Sequence, residues 1–161
     1  MANAMFLKVT GADGTSTESK HKDWIEIDSY SFGGNQQTSQ AHGGGAGAGR
    51  VSFQDFHFTA TAGKESPVMF GFMCAGTPMA KVELHEQKAG GTSPINFIEI
   101  TLEDCFMTGY SMSDSRGASE PQASYSINFA KAKFKYTGQN DKGGAAAGAE
   151  SGWDAKANKK M

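Results

Sequence analysis

Residues 124–136, SYSINFAKAKFKY, constrain this chain more than any other stretch. Tyr125, Ile127 and Phe129 share one face at a period of two. Ala132, Phe134 and Tyr136 share one face in the opposite phase, with Lys131, Lys133 and Lys135 between them. Such alternation is a strand with one buried face. The phase slip near Ala130 predicts a bulge. A strand of this length has to pair with others, and the chain supplies them at Met5–Thr10, Trp24–Phe32, Val51–Thr61, Ala80–Gln87, Ile95–Glu103 and Cys105–Ser113.

The details of these strands set further expectations. In Ala80–Gln87, Val82 and Leu84 point inward, and Lys81, Glu83, His85 and Gln87 point outward. Ile98, Ile100 and Leu102 share a face. Val51 and Phe53 are out of phase with Phe56 and Phe58, which predicts a bulge or a strand covered on both faces. Asp13-Gly14 and Ala89-Gly90-Gly91 carry turn chemistry, and residues 113–121 form a polar loop. The segment KESPVMFGFMCAG predicts the one helix. Ser66 is placed to cap it, with Pro67 at its first position and Gly76 at its end. Val68, Met69, Phe72 and Met73 would form its buried stripe.

Seven or so strands and one short helix predict a mainly β fold, a compact antiparallel barrel or sandwich whose interior is filled by side chains. At 161 residues the chain suits one domain. The expected unit is residues 1–137, including an extended glycine-rich loop at 33–50. A Gly/Ala-rich tail, 138–161, docks on it through Trp153.

That loop contains HGGGAGAGR, residues 42–50, in which five of nine residues are glycine. A phosphate loop would need a strand before it and a helix after it, because the helix N-terminus receives the anion. Here a strand follows. Arg50 and Val51 also stand where a phosphate loop has its lysine and hydroxyl. The expected structure is a loop that glycine makes costly to order. An ordered state therefore needs a partner surface.

No constellation of residues carries a reaction. The formal charge of −2 gives no argument for nucleic acid or an anionic membrane. The N-terminus lacks the pattern of a cleaved secretory signal, and no apolar run reaches membrane-spanning length. His21, His42, His57 and His85 lack metal-ligand spacing, and His85 reads as exposed. Cys74 and Cys105 read as buried, reduced and inert, so pairing either with His57 for nucleophilic chemistry is disfavoured. Glu26 and Asp28 share a strand face, as do Glu83 and Gln87, and both pairs read as solvated. The three alternating lysines read as edge protection. The residues favour an assembly or binding module that needs no cofactor. The alternative is a small-ligand- or metal-binding β-barrel enzyme that uses His57 or the glycine loop.

Several stretches then point one way. HKDWIEIDSYSFG, HGGGAGAGR leading into VSFQDFHFT, SPVMFGFMCAG, AKVELHEQKAGG, SINFAKAKFKY and GWDAKANKK resemble, in order and spacing, the haemolysin-coregulated protein (Hcp) family of the bacterial type VI secretion system. The resemblance implies a homohexameric ring of β-barrels, stacked into an inner tube. A contractile sheath would surround the tube and a valine-glycine-repeat spike would cap it. Effector proteins would ride in the channel. Export from the bacterial cytoplasm would proceed without a cleaved signal. It also implies that His42, Gly43, Gly44, Gly45, Ala46, Gly47, Ala48, Gly49 and Arg50 contact neighbouring subunits or rings. Trp153, Asp154 and Lys156 would lie near the barrel rim.

Overall fold

The structure, a computed structural model, describes residues 3–36, 39–41, 45–47, 49–88, 90 and 93–161. In chain order its elements are β1 (Ala4–Val9), β2 (Ile25–Glu26), β3 (Ser29–Ser31), β4 (Gly34–Gln36), β5 (Ser39–Ala41), β6 (Gly45–Gly47), β7 (Val51–Phe53), β8 (Phe56–Thr61), α1 (Glu65–Ala75), β9 (Met79–Lys88), β10 (Ile95–Ser113), β11 (Gln122–Gln139), β12 (Ala145–Asp154) and β13 (Lys159–Lys160). Every strand pair is antiparallel.

The strands close on themselves. β1 pairs with β9, β9 with β10, β10 with β11, and the first part of β11 with β8. β8 pairs with β3, and β1 pairs with β2. Residues 27 and 28 join β2 to β3 and bond both sides: Ile27 N–H donates to Met5 O at 3.1 Å, and Asp28 N–H to Thr59 O at 2.8 Å. A closed barrel leaves few unpaired backbone groups. Its interior is packed with side chains, among them Leu7, Phe56, Phe58, Leu84, Ile100, Leu102, Tyr125 and Ile127, each no more than 1% exposed.

The predicted bulge near Ala130 takes a different form. The β10–β11 register is unbroken from Ile98↔Tyr136 to Met107↔Ile127. Both strands nevertheless change their buried phase there, from Leu102 to Cys105 on β10 and from Phe129 to Ala130 on β11. Asp104, with φ 55°, supplies the left-handed residue that turns both strands together. The register shift in this pair comes later, between Met107 and Gly109. Ile95–Glu103 and Cys105–Ser113, read as two strands, are one. The phase change between Phe53 and Phe56 is a strand break, because β7 pairs with β4 and β8 with the barrel.

The helix is where expected but is capped differently. Lys64 is its N-cap, without a side-chain cap bond, so Pro67 is the third helical residue. Ser66 instead sends its Oγ to the Tyr125 hydroxyl at 2.5 Å, inside the molecule. Gly76 ends the helix as predicted, at φ 66°, with Thr77 N–H returning to Phe72 O at 3.0 Å. Of the predicted stripe, Met69 is buried, Phe72 and Met73 pack against the core, and Val68 is exposed.

The cysteines differ from the paired expectation. Cys105 is buried, but Cys74 is exposed, and both are free. Burial, with Asp104 and Glu103 adding to it, pushes the Cys105 thiol up to about 12. A thiol reagent should therefore titrate one cysteine, Cys74, in the native protein and both in denaturant. Rapid reaction of Cys105 in the native state would contradict this packing.

Candidate assembly interface

The glycine-rich region is an ordered two-stranded arm where it is described. β4 pairs with β7 through Gly34↔Phe53, Asn35↔Ser52 and Gln36↔Val51. β5 pairs with β6 through Ser39↔Gly47, Gln40↔Ala46 and Ala41↔Gly45. Where the expected extended loop over 33–50 is described, it includes paired strands, β4, β5 and β6. Backbone pairing needs no side chains, so glycine and alanine suffice once the arm's ends are held. Of the residues expected to make contacts, His42, Gly43, Gly44 and Ala48 lie outside the described residues. Gly45, Ala46 and Gly47 form β6. Gly49 accepts a bond from Gln36 Nε2 at 3.2 Å.

Two things hold the base of this arm. Phe53 packs on Phe129 with ring centroids 5.0 Å apart, and Phe32 lies 6.0 Å from Phe129 and 5.9 Å from Phe134. Arg50 donates to the carbonyls of Ala155 at 3.3 Å and Lys156 at 3.0 Å. The predicted loop and the predicted tail therefore meet within one chain, through the Lys156 carbonyl and not its ammonium. These bonds link residues about a hundred positions apart, so no local pattern announces them.

The tail itself is sheet. β12 extends β11 from Lys131↔Asp154 to Gln139↔Ala145, and β13 pairs with β12 through Trp153↔Lys160 and Asp154↔Lys159. Trp153 lines an apolar groove of about 300 Å³ with Phe32, Phe53, Ala132 and Phe134. Its indole nitrogen is buried without a hydrogen-bond partner among the described residues. Asp154 accepts the Ala157 N–H at 3.0 Å. That bond is the leading cause that lowers its carboxyl below the ordinary 3.8, with the Lys131 charge assisting. At Gly148 an added Cβ would overlap the carbonyl oxygen of Tyr136, so only glycine fits that closely against β11.

Other predicted positions fall elsewhere. Lys131, Lys133 and Lys135 do not protect an edge, because β11 lies between β10 and β12. Two of them face acids across the ladder: Lys131 lies 3.7 Å from Asp104 and Lys135 3.6 Å from Glu99, while Lys133 stands opposite Thr101 and Gly152. His57 is exposed, and its Nδ1 meets Ser126 Oγ at 2.7 Å. It lines none of the described cavities. Glu26 and Asp28 are exposed, and Gln87 is buried. His85 is not exposed as read: it is half-buried and meets the fully buried His21. Among the described residues no group of three potential ligands could hold a metal, and no helix is long and apolar enough to cross a membrane.

This barrel, with its arm and its β-paired tail, has known counterparts. A family model described as "Type VI secretion system effector, Hcp" matches residues 6–136. The chain belongs to the Hcp family. It is 30% identical to protein Hcp1 of Pseudomonas aeruginosa over 159 residues, 98% of each chain. The crystal structure of Hcp1 from Salmonella typhimurium matches all of both chains at 28% identity and a TM-score of 0.81. A structure titled as a type six secretion system protein has a TM-score of 0.91 over 99% of this chain and all of its own. At 22% identity that match speaks for the fold alone. Membership makes this chain a component of type VI secretion, among proteins that this system secretes.

Proposed function

We propose that this Hcp-family chain is a structural subunit, six copies of which form a ring that stacks into the inner tube of a type VI secretion system. The observation that carries the reading is the arm of residues 34–53. Its described strands pair only with each other. An isolated two-stranded ribbon is marginal in water, so a neighbouring surface has to cover it. A ring needs two unlike patches, one meeting the other. A second apolar groove, lined by Ala62, Pro67, Phe70, Tyr110 and Met112, offers an unlike patch. Its Phe70 is 48% exposed and Met112 57%.

In this reading residues 1–137 are the barrel unit and 138–161 a tail that fastens the arm through Arg50. The spike, the contractile sheath and channel-borne effectors are the partners. The chain works by assembly and not by turnover, and it is exported without a cleaved signal peptide. The test is light scattering on protein eluting from a sizing column. With 17.0 kDa per chain, the ring should weigh 6 × 17.0 = 102 kDa. A sole species of 17.0 kDa at every protein concentration would overturn the ring.

A further inference from the structure

Segment 11–24 folds back on the barrel over a pair of histidines, one buried and one half-buried. His21 is 1% exposed and stacks on Phe6 at 4.4 Å. Its Nδ1 bonds the Glu18 carboxylate, and its Nε2 lies 2.9 Å from His85 Nδ1 on β9. Trp24 caps both rings, 4.7 Å from His21 and 4.6 Å from His85. β10 supplies the floor. Asn96 Nδ2 lies 3.3 Å from the same His85 Nδ1, while Asn96 Oδ1 accepts from Gln87 Nε2 at 2.8 Å.

Hydrogen-bond accounting assigns the protons. In the orientation the structure gives, Gln87 Nε2 donates to Asn96 Oδ1, so the Asn96 NH₂ faces His85 Nδ1 and that nitrogen accepts. His21 Nε2 must then donate. The other His21 nitrogen faces the Glu18 carboxylate. Every group is satisfied while His85 keeps Nδ1 bare and its own N–H at Nε2, 3.5 Å from Glu99. A proton added to His85 Nδ1 would face two donors at once, beside the buried His21 ring.

We propose that the His21–His85 contact is a proton-operated latch, which holds segment 11–24 against the barrel and releases it when His85 takes a second proton. The charged and titratable groups facing the pair are Glu18 from the segment, Glu83 from β9, and Glu99 from β10 with Lys135 of β11 bonded to it. Burial is the first cause that holds His85 below the ordinary 6.5, and His21 adds to it. Glu99 and Glu83 oppose them. The sign follows. A folded-state value below the unfolded one favours the latched fold near and above pH 6.5, and that advantage is lost as pH falls below 6.5 toward the folded value. Lys20 of the same segment lines a polar cleft with Gln87, Asn96 and Asn140, so release would also open that cleft.

The latch is independent of ring formation, and it is tested on the full-length protein by amide hydrogen exchange between pH 7.5 and 5.5. After correction for intrinsic rates, exchange in 11–24 should rise relative to β10 as the pH falls through this range, the direction that the depressed His85 value sets. His85→Gln keeps an acceptor and cannot titrate, so its exchange should be flat over this range. Nuclear magnetic resonance of the wild-type imidazoles reads the same event without a variant, as a His85 transition below 6.5. A flat wild-type profile, a His85→Gln profile that still rises, or a His85 transition above 6.5 would each overturn the latch.

Discussion

A protein in which residues 37–48 are replaced by Asn-Gly should elute as a single chain, a little lighter than the 17.0 kDa of the full chain, where the unaltered protein should elute as a 102 kDa ring. The replacement keeps Gln36↔Val51, Arg50 and the Phe53 contact with Phe129, so the base of the arm and the barrel stay intact. Asn-Gly with Gly49 and Arg50 makes a four-residue connection between Gln36 and Val51, a length that hairpins use. Circular dichroism should be unchanged, because no barrel strand loses a partner. The effect is all-or-none on mass: six interfaces close a ring together, and each would lose the same ribbon. Retention of the 102 kDa species by the shortened protein would show that the arm is not what joins the copies.

The second large effect is expected at Tyr125. Its ring stacks on Phe58 at 4.4 Å and meets Tyr110 edge-on at 5.3 Å. Its hydroxyl reaches Ser66 Oγ at 2.5 Å and Glu65 Oε1 at 3.2 Å, both on the first turn of α1. Glu65 and Ser66 are 2% and 5% exposed. This one side chain therefore joins the helix to the barrel and satisfies two buried polar groups. Tyr125→Phe keeps the packing but strands those groups, at a cost of about 1–3 kcal/mol. Tyr125→Ala adds a large cavity and should cost about 3–5 kcal/mol or more, a large share of a total of about 5–15 kcal/mol. Thermal unfolding should be measured in the hairpin-shortened background, where ring formation adds nothing to apparent stability. There Tyr125→Ala should lower Tm by roughly 10 °C. A shift under about 2 °C would mean that this joint bears little of the fold.

The family match and the arm argument bear on different scales. The match assigns the chain to a secretion apparatus. The arm, the Phe70–Met112 groove and the Arg50 clasp say which surfaces of this chain are left for neighbours. The histidine latch is carried by β9 and the 11–24 segment. Failure of the ring and failure of the latch would therefore be read by different experiments.

The amino-acid order alone determined the β class, most of the barrel strands, the position of the helix, and that a strand and not a helix follows the glycine run. These are local matters. Alternation in 124–136, the Gly76 stop and the absence of a helix after HGGGAGAGR each depend on neighbours within a few positions. The tertiary structure decided what lies between distant residues. It turned Ser66 from a presumed helix cap into a partner of Tyr125, 59 positions away. It paired His21 with His85 across 64 positions, and Arg50 with the tail across 105 and 106. It placed β11 between two strands, which made Lys131 and Lys135 partners for acids and not guards of an edge. Periodicity records which face of a strand is apolar, but not which strand will lie beside it. That choice is settled only when the barrel closes and each polar group has to find its partner in three dimensions.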